Sequence, residues 1–198
     1  QQAASLPKNA PISVLSSIQT VDIEHTSEIA TFDPAWVDSL SLSLPCYGIP
    51  VPKRTMRLPN APRNYRNGTH RGLDFFANWG TPVRSVADGI VVRSDLYYKE
   101  VPADFRENLL KATTKVGHTP SDIFNSVLLG KSVFLDHGFD LIPGFRTISI
   151  YAHLSHIEKE IVPGAIVKRG ELLGISGNPG MRESTIGSKA GSHLHWEL

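Results

Sequence analysis

From about Tyr65 onward the chain sets turn dipeptides between short alternating apolar runs, a pattern that commits it to antiparallel β-structure. Asp88-Gly89 separates residues 82–87 from 89–93; His137-Gly138 and Pro143-Gly144 separate 131–136 from 146–151. Pro163-Gly164 precedes 165–167, and Asn178-Pro179-Gly180 follows 171–176. Glycine and proline supply the special φ values of tight connections, and period-two alternation suits a half-buried strand. Residues 72–76 and 192–198 read as further strands. The expected fold is mainly β, an antiparallel β-sheet or sandwich with a small helical insert.

That insert covers about 96–130. Residues 102–117, with Phe105, Leu109, Leu110 and Ala112, have helical spacing, and Thr119-Pro120-Ser121-Asp122 opens a second helix through Leu129. Roughly thirty-five residues exceed any plain hairpin connection and suggest a functional or capping excursion. Residues 1–65 differ from the rest. They are rich in Ser, Pro and Thr, and Pro45, Pro50, Pro52, Pro59 and Pro62 argue for extended chain. The expectation is an N-terminal leader, 1–65, with extended segments packed on a main domain, 66–198.

A length of 198 residues suffices for one substantial core, and a net charge of +1 gives no support to nucleic acid as a partner. The small clusters Lys53-Arg54 and Lys168-Arg169 read as solvated surface. Cys46 stands alone, so neither an intrachain disulfide nor a thiolate metal site is available. No stretch approaches the ~20 apolar residues that cross a bilayer. Gln1 in place of Met is compatible with a processed, secreted product.

The chemistry concentrates in histidines. His193 and His195 are two apart, so on a strand they share a face. His70 and Asp74 are also evenly spaced; a strand beginning at His70 turns both inward, with Gly72 between them leaving room for a metal or substrate. His153 ends an apolar strand. Imidazole nitrogens with one hard oxygen suit Zn²⁺, and three protein ligands leave a position for water. These residues together suggest a single-zinc hydrolase. Glu197 shares the parity of the pair and reads either as a support to the site or as a solvated strand-end carboxylate. His137 and His156 have no partner at a telling spacing; His25 and His118 read as surface.

The motifs His70-Arg-Gly-Leu-Asp74, Tyr151-Ala-His153-Leu and His193-Leu-His195, in that order, resemble those of the lysostaphin/LytM-type zinc metallopeptidases, which cut peptides of bacterial peptidoglycan. Gly80-Thr81-Pro82-Val83, Ala87-Asp88-Gly89 and the run from Pro163 to Gly174 extend the resemblance over about 66–198, apart from the insert. The resemblance implies a duplicated-hybrid-motif-like sheet. It implies Zn²⁺ on His70, Asp74 and His195, with His153 and His193 as catalytic histidines. It further implies a peptidoglycan stem or cross-bridge peptide as substrate and a secreted or cell-envelope location; the insert, a departure from the family pattern, is expected to wall one side of the groove. Ser192 and Trp196 stand where the family often has Pro and Phe, and any strand closing the sheet after His195 is either missing or not included in this sequence. Two other readings stay open: a non-catalytic wall-binding or amidase-activating module, and a zinc peptidase with a different substrate. Asn60, Asn64 and Asn67, just before His70, are candidates for a blocking ligand from the leader.

Overall fold

The computed structural model describes residues 33–198; residues 1–32, with His25 and the first part of the expected leader, lie outside the described residues. After a helical turn, α1 (Ala35–Ser39), come the short β1 (Pro62–Arg63) and β2 (Gly68–Thr69), which pair with each other. The main strands follow: β3 (Leu73–Phe75), β4 (Pro82–Arg84), β5 (Gly89–Ser94), β6 (Val133–Asp136), β7 (Ile148–Ala152), β8 (Leu154–Ile157), β9 (Ile166–Val167), β10 (Leu172–Ser176) and β11 (Leu194–Glu197). They form a six-stranded sheet in the order β3-β11-β7-β6-β5-β9 and a three-stranded sheet in the order β4-β10-β8. Every pairing is antiparallel. The mainly β, antiparallel expectation is met.

Alternation along the strands assigns each face its work. Phe75, Val133, Leu135, Tyr151, Leu194 and Trp196 point from the large sheet into one core, where they meet Val83, Leu154, Ile157 and Leu173 of the small sheet. A fully buried leucine there contributes about 1.5–3 kcal/mol, which anchors β11 through Leu194. Part of the Pro-rich segment reaches the same core. Cys46 is fully buried in it, and the backbone of Ser43 and Arg84 bonds to Val86 and Pro45.

The intervening positions of the large sheet face the other way. Ile150 and Ala152 pack there against Phe124, Leu128 and Leu129 of the insert, forming a second, smaller core. The insert comprises α2 (Ala103–Val116), then α3 (Ser121–Ile123), which widens into a π-helical turn over Phe124–Leu128. The expected plain helix through Leu129 is therefore corrected, and such widened turns frequently occur at functional sites. On α2 the buried side chains are Arg106 and Thr113, whereas Phe105 is exposed.

A candidate metal centre and its cleft

The register of β11 builds the centre. His195 pairs with Asp74 of β3 on one side and with Ala152 of β7 on the other. With Leu194 and Trp196 committed to the core, His195 and Glu197 must face the insert side of the sheet. Asp74 does the same between the core residues Leu73 and Phe75.

His70 arrives differently. β3 begins at Leu73, so His70 belongs to the loop after β2 rather than to the strand. Its backbone bonds to Ala61 and Asn60, and its Nδ1 lies 2.8 Å from the Leu58 carbonyl. The role expected for Gly72 is also corrected. A side-chain carbon there would lie 2.1 Å from the Trp196 carbonyl oxygen, so the glycine admits the backbone of β11 rather than a metal.

The result is a buried cluster in which His70 Nε2, Asp74 Oδ1 and His195 Nδ1 approach one another within 3.0 Å. The outer nitrogens decide what the inner ones carry. The Leu58 carbonyl can only accept, so the His70 proton sits on Nδ1; Glu197 Oε1 accepts from His195 Nε2 at 2.9 Å. Both inner nitrogens therefore present lone pairs to a carboxylate oxygen. Three acceptors converge without a donor, an arrangement that a cation satisfies, and an N₂O donor set suits zinc. Where a proton stands in for that cation, the rings donate to Asp74 instead. Burial alone raises the Asp74 carboxyl, yet hydrogen bonds to His193, His195 and His70 hold it far below its ordinary range. Burial alone lowers the His195 imidazole, but bonding to Asp74 and Glu197 leaves it raised.

His153 and His193 stand over this cluster. Their ring centroids are 4.8 Å apart, and His153 lies 5.9 Å from His195. His193 Nε2 is 3.5 Å from Asp74 Oδ1, while its Nδ1 bonds to the Gly191 carbonyl at 2.8 Å. His153 Nδ1 bonds to the Pro179 carbonyl at 2.8 Å. Burial, followed by the nearby His193 and His195, drives the His153 imidazole well below its ordinary pKa. It is thus neutral, with Nε2 open to accept a proton. His153 also has φ of +61°, a left-handed conformation that costs a non-glycine residue of order 1–3 kcal/mol and that tends to persist where function holds it.

All five expected residues are brought together, and all five line one cleft of about 320 Å³. The insert supplies a wall through Phe124, Leu128 and Arg106. From the segment before His70 it is Arg63, not an asparagine, that reaches the centre, with Nη2 3.2 Å from Asp74 Oδ2. The sequence left Glu197 undecided; here it is 7% exposed and bonded to His195 and Arg71. Arg63 and Arg106 were missed altogether, because isolated arginines carry no spacing signal. Tyr151 serves the core, its hydroxyl accepting from the Val86 backbone. His137 is a buried structural histidine between Asp88 and Ser149, whereas His156 is exposed.

Residues 111–198 match Peptidase family M23. An uncharacterized metalloprotease of Haemophilus influenzae is 30% identical over 129 residues, covering 65% of this chain and 18% of that protein. The chain thus spans under a fifth of that relative. A proposed peptidase M23 structure from Pseudomonas aeruginosa shares 27% identity with a TM-score of 0.44, covering 79% of this chain and 44% of that one. The catalytic domain of the antimicrobial peptidase lysostaphin from Staphylococcus simulans shares 19% identity with a TM-score of 0.39, covering 84% of each chain.

Proposed function

From a chain that carries a Peptidase family M23 segment over residues 111–198, we propose a zinc-dependent endopeptidase acting on the stem or cross-bridge peptides of bacterial peptidoglycan. The observation that carries the reading is the convergence of His70, Asp74 and His195 as three bare acceptors beneath two further imidazoles. A secreted or cell-envelope location goes with that substrate. Among the described residues no helix is long and apolar enough to cross a membrane.

His70, Asp74 and His195 would hold the cation, which when bound supplies a water ionised near neutral pH and polarises a carbonyl. The remaining steps belong to the chain's own groups. His153, neutral and fixed by Pro179, can take a proton on Nε2 and return it to the leaving amine. His193, held by Gly191, presents its Nε2 to the same space and can orient the water or bond the oxyanion. The Phe124 and Leu128 wall excludes bulk water from one side.

The test combines metal analysis with mass spectrometry of fragments released from purified walls. The wild-type chain should bind about one zinc and release peptide fragments. His195→Ala should lose the metal, and His193→Ala should keep it while turnover falls about 10²–10⁴-fold. Full turnover in His193→Ala would sink its role; bound zinc without any release would favour a wall-binding module.

A further inference from the structure

Resting on the peptidase reading, we infer that the cleft seats a carboxylate of the peptide substrate on Arg106, which makes this insert residue a specificity determinant. Arg106 lies on the inward stripe of α2 with Leu110 and Thr113, three positions at i, i+4 and i+7. It is only 8% exposed and lines the same cleft as His153 and His193. Its Nε donates to the Gly180 carbonyl at 3.1 Å; its terminal amino groups find no acceptor among the described residues.

A guanidinium is costly to bury without an anion, so the charges around it decide the matter. Glu100 is the near carboxylate, but its oxygens accept from Tyr98, Val101 and the Gly180 backbone. Asp74 is engaged by the histidines and Arg63, and Glu183 lines the cleft without an ion pair to Arg106 among the described residues. Of the cleft's other arginines, Arg182 is exposed to solvent, whereas Arg63 and Arg66 are committed. Arg63 bonds to Asp74 and Met56, and Arg66 bonds to the Thr69 carbonyl while stacking on Phe124.

Arg106 is therefore a buried fork with both outer tines open, the geometry that takes a carboxylate in two parallel bonds. Gly180, gripped by Glu100 at its N–H and by Arg106 at its carbonyl, fixes that fork in place. The preceding Pro179 carbonyl orients His153. The anion would thus be bound beside the reacting centre.

The experiment uses dimeric stem peptides from purified wall, either untreated or with their carboxylates converted to carboxamides. Binding to the zinc-loaded full chain is measured by calorimetry, alongside KM and kcat. The wild-type chain should bind the untreated peptide about 10- to 100-fold more tightly, with KM following and kcat little changed. Arg106→Gln should abolish that difference, binding both peptides as the wild type binds the carboxamide; Arg106→Lys should restore part of it. Equal wild-type affinity for both peptides, or binding of neither, overturns the inference without needing any variant. So does an Arg106→Gln chain that weakens both peptides equally, the signature of a purely structural grip on Gly180. A persisting affinity difference with no hydrolysis would instead overturn the peptidase reading alone.

Discussion

Glu197 is the residue whose surroundings most change its meaning. Placed two positions beyond His195 on the same face, its Oε1 fixes the proton of that ring on Nε2 and so turns Nδ1 toward Asp74. Glu197→Gln can still offer an oxygen but no charge, and should weaken zinc about 10- to 100-fold as measured by competition with a chelator. Unchanged affinity would show that the tautomer is set without it. Parity exposed the shared face of His193, His195 and Glu197 in the sequence, but parity carries no information on burial. Two candidate roles for Glu197 therefore survived until its 7% exposure was seen. Arg106 was hidden for a different reason: a charged side chain at an apolar position of a helix scores as solvent-facing, and Phe105, which the apolar spacing marks instead, is exposed.

At the scale of elements, the insert is tied to the cleft side of the large sheet by backbone contacts. The His153 N–H donates to Leu129, and Gly130, with φ of +62°, packs against the 179–180 turn. A side-chain carbon at Gly130 would lie 2.0 Å from the Pro179 oxygen that orients His153. Gly130→Ala should therefore displace that carbonyl and reduce kcat about 100-fold or more while zinc content stays at wild-type level. A variant with normal kcat would show that the His153 ring is held by other contacts. The strands themselves were legible because turn residues bracketed alternating runs, as at Asp88-Gly89 before β5. Their ends were not. Residues 70–72 alternate as a strand would, yet the backbone bonds of His70 to Ala61 and Asn60 draw it out of the sheet.

Across the whole molecule, the Pro-rich stretch contributes Cys46 to the main core. Burial raises this thiol from 9.0 to about 12. The unfolded chain ionises first as pH climbs, so the contribution of this group to stability is intact below 9.0 and declines between 9.0 and about 12. Denaturant midpoints between about pH 8 and about pH 10 should accordingly fall less in Cys46→Ala than in the wild type. Identical pH slopes would mean that the thiol is not buried in solution. That a lone cysteine is more often a buried small apolar group than a reactive thiol was legible in the sequence; which distant strands bury it was not, since only tertiary contacts create that seat.

His70 and His195 touch across 125 residues of sequence. During synthesis the early histidine emerges long before its counterpart, and until β11 slots between β3 and β7 there is no complete donor set to capture an ion. On the peptidase reading the chain would stay chemically silent while nascent, and its competence would arrive with the docking of a single strand.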